Sequence, residues 1–416
     1  MSSTVTINRD RVFVVDGKPF FPIAARHTPL GATPEVLREV GFNCVRWTPF
    51  GTDASEYESF DVPHDFGGLK FYTYVYNRGD LSLEKEKRAR ELTALVGAVK
   101  AHPDLLCYEQ RNEPAYTFGD AATPQSPPDG FVAGSALIRA LDPNHPIRVG
   151  HMCSNLVSTL KRYNSGLDAV GCNPYVVIAP GMRRFVGFRP DGKLADCADQ
   201  TLSAVGRYTN KMMRVAEGRA VWMQVQGSAN ENWYSPFHTP EMADFGIYEH
   251  ARLYPNRWQM RFMAFDAIIN GATGLSWMLI RMPTEPGAWS DVSRVVGELG
   301  RLHDVLASPT VAATVGVEYR ELGFSDWEGV EVLLKRHNDE SWLLAANTQF
   351  DPMIATFSDL PPGLGSQIEV VGEDRELKAD NGRFTDRFQP YEVHVYAPAG
   401  RNRASGSLCR ASPLSP

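Results

Sequence analysis

Short apolar runs alternate with amphipathic or polar stretches along most of the chain. Eight of these runs read as strands, and most of the eight are nearly continuous in apolar residues, which is typical of strands whose two faces are both buried in a parallel sheet. Between several of them lie amphipathic helical patterns, the clearest over Ser82–Ala101. The predicted strands are Phe21–Ala25, Phe42–Trp47, Leu69–Tyr76, Leu105–Glu113, Pro146–His151, Leu167–Tyr175, Ala220–Gln226 and Ala272–Leu279.

Eight buried strands that alternate with helices or loops predict an α/β fold, a (β/α)8 TIM barrel. A doubly wound sheet is the competing architecture. It is disfavoured because no glycine-rich phosphate-binding turn follows the first strand.

The two ends of the chain have a different texture from the middle. Residues 1–20 alternate apolar and polar positions around Asp16-Gly17, which predicts a β-hairpin that caps the barrel. Beyond Pro309, short strands separated by Asn, Asp, Pro and Gly predict a small all-β domain. The expected organisation is 1–20 capping hairpin, 21–308 barrel, 309–399 β-sandwich-like domain and 400–416 disordered tail.

Composition and charge exclude several classes of function. The net charge of −7 leaves no basic stripe for nucleic acid, and no apolar run reaches the roughly 20 residues that span a bilayer. The first residues lack the apolar core of a signal peptide, so a cytoplasmic protein is expected. The six cysteines are scattered, with neither CxxC nor HxH, so we expect no metal and no cofactor. The oligomeric state cannot be read from the sequence.

The fourth run, Leu105–Pro114, carries the strongest candidate for chemistry. Proline cannot donate to a sheet ladder, so the strand is expected to stop at Glu113. A carboxylate with the amide of Asn112 beside it would then lie at the carboxyl end of a barrel strand. Active sites of such barrels form at this end.

Other polar and aromatic residues fall at the predicted carboxyl ends of strands. A carboxylic acid, arginine, amides and aromatic rings around one barrel mouth are typical of a sugar site. The two histidines fit a hydrogen-bonded structural or substrate-binding role better than metal ligation. The tryptophan is either a core residue or a platform for a sugar ring. The candidates for substrate binding are His27, Arg46, Asn112, His151, Asn173, Tyr175, Gln224, Gln226 and Trp277.

The order of these residues resembles clan A of the (β/α)8-barrel glycoside hydrolases. In that clan the fourth strand ends in Asn-Glu-Pro and its glutamate is the general acid/base, which implies this role for Glu113. The resemblance also implies that Arg46 supports the nucleophile and that Trp277 lies under the bound sugar. It spans nearly the whole chain and is carried by Tyr108–Pro114, Phe42–Arg46, Tyr175, Gly274–Trp277 and Val14–Ile23.

The seventh strand departs from this pattern. The clan places its nucleophilic glutamate there, whereas Ala220–Gly227 contains Gln224 and Gln226 and no carboxylate. Retaining glycosidases need two carboxyl groups about 5–5.5 Å apart. A second carboxylate could come from Glu231 in the following loop, which also carries Trp233. Alternatively, Glu113 acts with a substrate group or an activated water, or the site binds a sugar without cleaving it.

The sequence therefore predicts a glycoside hydrolase that acts on a carbohydrate substrate, with Glu113 as general acid/base and Glu231 as the provisional second carboxylate. A non-hydrolytic carbohydrate-binding barrel is the main alternative. A lyase or isomerase that uses Glu113 as a base is a third.

Overall fold

The structure is a computed structural model of the 416-residue chain. It describes residues 3–29, 31–49, 60–116, 124–177, 201–229, 253–280, 282, 287–321 and 329–400. The chain divides between Gly300 and Arg301 into two compact units. The first unit contains a closed barrel, and the second consists mainly of two antiparallel sheets.

A closed barrel of eight parallel strands forms the centre of the first unit. The strands follow one another around the barrel in chain order, and the last pairs with the first, with Leu275 beside Ile23. This confirms the predicted α/β fold, the (β/α)8 TIM barrel. The barrel strands are β4 (Ile23–Ala25), β5 (Cys44–Trp47), β6 (Lys70–Tyr74), β7 (Leu105–Glu109), β8 (Ile147–His151), β9 (Ala169–Cys172), β10 (Ala220–Gln226) and β11 (Gly274–Met278).

The first helix shows how local sequence sets the ends of an element. The Thr33 hydroxyl accepts a hydrogen bond from the backbone N–H of Val36, and Gly41 ends the helix in the left-handed region at φ 118°. No helix in the described ranges is long and apolar enough to cross a membrane. The described α-helices are α1 (Pro34–Val40), α2 (Lys85–Val99), α3 (Pro128–Leu141), α4 (Val157–Lys161), α5 (Ala204–Ala216), α6 (Arg257–Ile269), α7 (Ala288–Arg301) and α8 (His303–Leu306), with 3-10 turns at Tyr76–Gly79, Asn164–Gly166 and Pro362–Leu364.

A three-stranded ribbon precedes the barrel. It consists of β1 (Val5–Ile7), β2 (Phe13–Val15) and β3 (Lys18–Phe20), with the expected tight turn at Asp16-Gly17. The Ser3 hydroxyl donates to the carbonyl of Leu105 at 2.8 Å. Val5, Phe13 and Val15 pack in one core with Leu106, Tyr72 and Trp222 of the barrel. The ribbon thus packs against the amino ends of the barrel strands.

The second unit is a two-sheet β-structure with a single apolar core. One sheet contains β12 (Gly316–Glu321), β15 (Met353–Ser358) and β18 (Phe384–Phe388). The other contains β13 (Val330–His337), β14 (Glu340–Asn347), β19 (Val393–Pro398), β16 (Gln367–Val370) and β17 (Arg375–Lys378).

Aromatic rings join the two sheets of the second unit. Phe357 and Phe384 of the first sheet stack at 4.8 Å, and Tyr396 of the other sheet lies 5.6 and 4.9 Å from these two rings. The division at Gly300 precedes the sequence-based boundary between 308 and 309 by one short helix, α8. The tail beyond Gly400 lies outside the described residues.

The fourth barrel strand, β7, ends earlier than the sequence predicts. The strand stops at Glu109, so the predicted end at Glu113 is wrong. The N–H of Gln110 donates to the carbonyl of Arg148, and the next N–H bond to the same strand runs from Glu113 to Gly150. Three residues on one chain therefore match two on the other, and the ladder bulges. Proline limits how far a strand can continue, but here the bulge ends it first.

Candidate active site at the carboxyl end of the barrel

Glu113 lies at the carboxyl end of the barrel, just beyond β7. Its backbone is left-handed, with φ 52°, a conformation that non-glycine residues adopt rarely and often at functional sites. The backbone N–H is held by the carbonyl of Gly150 at 2.7 Å. The side chain is half-buried, and its Oε1 accepts a hydrogen bond of 2.8 Å from Nδ2 of Asn173, which follows β9.

Burial raises the pKa of the Glu113 carboxyl above its ordinary value. Hydrogen bonds from Asn173 and Asn112 and the positive charge of Arg26 act in the opposite direction, because each favours the ionised form. The result is a carboxyl that keeps its proton to a higher pH than a solvated glutamate. Such a group can donate a proton to a reacting oxygen and accept one afterwards.

Arg26, which follows β4, connects Glu113 to the other side of the mouth. Its Nη1 donates to Oδ1 of Asn173 at 2.9 Å and to Oε1 of Gln224 at 2.6 Å. A guanidinium has no acceptor atom, so both amides must turn their oxygens toward Arg26. The NH2 group of Asn173 then faces Glu113 and Oδ1 of Asn112, which it contacts at 2.8 and 2.9 Å. Arg26 therefore fixes the orientation of both amides.

A second carboxylate, Glu109, lies fully buried in β7. Nη1 of Arg148 donates to its Oε1 at 2.6 Å, and Nη1 of Arg46 lies 3.6 Å from its Oε2. Burial alone would raise the pKa of Glu109, but Arg148, Arg26 and Arg46 together lower it. The Arg148 guanidinium also lies over the ring of Trp222, 4.3 Å from its centroid. The three arginines thus hold Glu109 in its ionised form, whereas the pKa of Glu113 is shifted in the opposite direction.

Arg46 at the end of β5 contacts the neighbouring strands. Its guanidinium lies 4.9 Å from the ring centroid of Tyr74, whose hydroxyl accepts from the N–H of Asn112. Its Nη2 lies 3.4 Å from Nε2 of His27. Because the guanidinium only donates, this nitrogen of His27 carries no proton. Burial, Arg46 and Arg26 lower the pKa of His27 well below its ordinary value, so the imidazole is neutral at neutral pH.

The two glutamines of β10 have different partners. Oε1 of Gln226 accepts from the backbone N–H groups of Val176 and Val177 at 3.1 and 3.0 Å, and its Nε2 donates to the carbonyl of Val177 at 2.7 Å. Gln226 therefore holds the segment after β9. Gln224 bonds to Arg26 instead, and its buried Nε2 has no hydrogen-bond partner among the described residues. Gln224 is the β10 residue that belongs to the Glu113 network.

Trp277 and His151 are completely buried. Trp277 lies in β11, and its ring belongs to the barrel core in this structure. Burial and the charge of Lys211 lower the pKa of His151 to about 3. In the ranges that the structure describes, the two ring nitrogens of His151 and the indole nitrogen of Trp277 have no hydrogen-bond partner.

Of the three remaining candidates from the sequence, only Tyr175 lies among the described residues. Tyr175 follows β9, is half-buried and lies within electrostatic reach of Arg26. Glu231 and Trp233 lie outside the described residues.

Two residues of this network are absent from the sequence-based prediction. Arg26 immediately follows the first barrel strand, and this position was the one available signal. Gly150 has a steric role, because a Cβ there would lie 2.9 Å from Oδ1 of both Asn112 and Asn173. A glycine inside a strand suggests a close approach, but it does not say of what.

The described part of the chain contains no group of three or more histidine, cysteine, aspartate or glutamate side chains suited to a metal ion. The chemistry that its residues can support is proton transfer at Glu113 and hydrogen bonding by the surrounding amides and arginines.

Comparison with known proteins shows the fold. No protein-family model matches the sequence, and no curated protein matches it. A glycoside hydrolase family 5 structure from Bacteroides vulgatus is similar, with a TM-score of 0.58 and 11% identity over 98% of this chain and 95% of that one. A GH30 endoxylanase from Clostridium papyrosolvens has a TM-score of 0.52 and 14% identity over 95% and 97%. The chain thus has the barrel fold found in these glycoside hydrolases.

Proposed function

We propose that this protein is a glycoside hydrolase in which Glu113 is the general acid/base. The observation that carries the proposal is the raised pKa of a half-buried carboxyl at the carboxyl end of a (β/α)8 barrel. The fold likeness to glycoside hydrolases adds support. The substrate would be a glycoside or oligosaccharide.

The proposed reaction consumes one water. Glu113 donates its proton to the glycosidic oxygen as the bond to the anomeric carbon breaks. A water oxygen finally bonds to that carbon, and the proton that this water loses restores the carboxyl group of Glu113. A neutral amide cannot form the covalent glycosyl-enzyme, so Gln224 is not the nucleophile. Glu231 is the proposed second carboxylate. The alternatives are a substrate group or an activated water in its place.

Substrate binding is proposed for the polar and aromatic residues around Glu113. Asn112 would bind a substrate hydroxyl beside the scissile bond, and Arg46 and Tyr175 would orient the group opposite Glu113. The wider proposed set is His27, His151, Asn173, Gln224, Gln226, Trp233 and Trp277. The cytoplasmic location and the boundaries of residues 1–20, 21–308 and 309–399 stay predictions.

A second candidate function is carbohydrate binding without hydrolysis. It is favoured by one specific contact, the 2.6 Å hydrogen bond between Arg26 and the neutral oxygen of Gln224. If no carboxylate lies opposite Glu113, no carboxylate is available to attack the anomeric carbon or to activate a water that does so.

The test uses leaving groups that differ in basicity. A panel of aryl and alkyl glycosides in both anomeric forms is incubated with wild type, Glu113→Gln and the exposed control Glu39→Gln. A general acid contributes about 10²- to 10⁴-fold, and the loss in Glu113→Gln should be largest for alkyl glycosides, whose leaving oxygen needs the proton most. Glu39→Gln should match wild type.

One result would overturn the role of Glu113, and another would overturn the hydrolase. Turnover by Glu113→Gln at the wild-type rate on alkyl glycosides would remove Glu113 from the acid/base role. Sugar binding without release of any leaving group by wild type would favour the binding protein.

A further inference from the structure

The barrel mouth contains more buried positive charge than negative charge. Three arginines are buried there. Arg26 and Arg148 are 3% and 1% exposed, and the side chain of Arg46 is 9% exposed. Among them lies one ionised carboxylate, Glu109. Glu113, which accepts from Asn173, is the second carboxyl group of the mouth, so three guanidinium groups meet two carboxyl groups.

Glu109 forms ion pairs with two of the three arginines, Arg148 and Arg46. Its Oε1 is 2.6 Å from Arg148, and its Oε2 is 3.6 Å from Arg46. In the described ranges, no carboxylate oxygen lies within the 4.0 Å ion-pair limit of Arg26. The hydrogen bonds of Arg26 go to the neutral oxygens of Asn173 and Gln224. A buried cation is costly unless an anion joins it.

Several buried hydrogen-bond donors in this network also lack acceptors among the described residues, including Nε of all three arginines. Two of the unpaired donors, Nε of Arg26 and Nε2 of Gln224, belong to side chains that are hydrogen-bonded to each other. The orientation of Gln224 is not arbitrary, since Arg26 can bond only to its oxygen. A buried donor without an acceptor destabilises the site. Their presence beside a surplus cation points to a ligand that supplies acceptor oxygens and negative charge.

We propose that this site takes a glycoside whose sugar carries a carboxylate, a uronic acid, and that Arg26 binds the carboxylate with the Gln224 amide beside it. The proposal rests on the proposed function, because it names the substrate class of the same site. A carboxylate is planar, carries a single charge and pairs with the two-pronged edge of a guanidinium. A glutamate at position 224 would neutralise Arg26 internally, whereas the glutamine leaves that charge to the ligand.

The experiment compares binding of matched sugars to the full chain. Methyl glucuronide, galacturonide and mannuronide are titrated by calorimetry in both anomeric forms, each beside its neutral hexoside. A charge-assisted bond predicts a preference for the uronide of about tenfold or more in at least one pair. Added salt should reduce this preference.

Variants assign the preference to Arg26. Arg26→Gln should reduce the uronide preference to near unity, and Arg26→Lys, which keeps the charge without the planar edge, should retain part of it. The control is Arg139 on α3, which forms an ion pair with Asp168 at the surface. Arg139→Gln removes an equal charge and should leave the preference unchanged. Arg26→Lys also serves if Arg26→Gln does not fold.

The outcomes separate this inference from the hydrolase proposal. Equal affinity in every pair, or a preference for sugar sulfates over uronides, overturns the uronic acid. Hydrolysis of neutral glycosides without a uronide preference overturns it too and leaves the hydrolase intact. Uronide binding that depends on Arg26 but leads to no hydrolysis keeps the ligand class and removes the hydrolase.

Discussion

Nδ2 of Asn173 donates a hydrogen bond of 2.8 Å to Oε1 of Glu113. It can do so because the oxygen of the same amide is engaged by Arg26 at 2.9 Å. The carboxyl group therefore receives a donor that cannot turn away while Arg26 stays in place. The acid after β7 and the guanidinium after β4 act as one hydrogen-bonded unit.

Removing Asn173 should shift the pH dependence of hydrolysis. A general acid must be protonated, so activity falls as the pH rises through its pKa. The hydrogen bond from Asn173 favours the ionised form of Glu113 and lowers its pKa. Asn173→Ala should therefore raise the pKa of Glu113 and move the alkaline limb of the kcat/KM profile to higher pH. Asn210→Ala on the exposed face of α5 is the control and should leave the limb unchanged. A limb that moves to lower pH would contradict this account of the network.

A methyl group at position 150 should disturb the site. The Cβ of Gly150→Ala would lie 2.9 Å from the side-chain oxygens of Asn112 and Asn173, closer than packed atoms allow. We expect a loss of about 1–3 kcal/mol in the free energy of unfolding and a fall in activity. Calorimetric melting temperature and kcat/KM are the measurements.

Gly97→Ala is the matched control for this substitution. Gly97 lies in α2, and a Cβ there would meet nothing within 4 Å. Its replacement should raise stability by about 0.5–1 kcal/mol, because alanine favours the helix. If both variants raised the melting temperature, the steric role of Gly150 would be wrong.

Introducing a carboxylate on β10 should have different effects at its two glutamines. Gln224→Glu places a negative charge 2.6 Å from Arg26, at the position of the present amide oxygen. The new ion pair should weaken uronide binding about tenfold or more, since Arg26 is then neutralised from within. Calorimetric titration of the uronide–hexoside pairs measures the change.

Gln226→Glu tests whether any carboxylate on this strand would act alike. Nε2 of Gln226 donates to the carbonyls of Val177 and Ser228, and a carboxylate cannot replace these bonds. We expect a stability loss of about 1–3 kcal/mol and an unchanged uronide preference in the folded protein. A weaker uronide preference in Gln226→Glu than in Gln224→Glu would reverse our assignment of the two residues.

The sequence was sufficient for the barrel but not for the details of its mouth. Buried parallel strands leave nearly continuous apolar runs, so their number and order can be read directly. Side-chain partners depend on contacts between strands that are distant in sequence. Gln224 and Gln226 lie two residues apart on one strand, so their side chains point to the same face. They differ in their partners, which are the segment after β9 for Gln226 and Arg26 for Gln224. The role of Arg26 is hidden in the sequence for the same reason, since its partners lie 147 and 198 residues away.

A buried histidine should make the second unit sensitive to alkali. Burial alone would lower the pKa of His394, but the carboxylates of Glu373 and Glu392 outweigh it and raise the pKa to about 9. Nδ1 lies 2.5 Å from Glu373, and Asp386 and Arg375 lie close by. Since the folded pKa exceeds the unfolded value, the stabilisation is complete below pH ~6.5 and is lost as the pH rises through about 9.

Hydrogen exchange can localise this effect. After correction for intrinsic exchange, amides of β14 and β19 should lose protection between about pH 6 and pH 9.5, on the order of 3 kcal/mol at most. His394→Gln should flatten this dependence, whereas His337→Gln, at the end of β13, should keep it. An equal slope in wild type and His394→Gln would rule out the histidine as its source.

The ribbon at the amino end of the barrel has a consequence for biosynthesis. Ser3 bonds to Leu105 and contacts His145, which are separated from it by 102 and 142 residues. The ribbon can pair within itself early in synthesis, but Ser3 cannot make these two contacts until the middle of the barrel has been made. Contacts of such long range form late and slow folding. Substitutions at Ser3 should accordingly change the yield of folded protein while leaving the chemistry at the opposite end of the barrel intact.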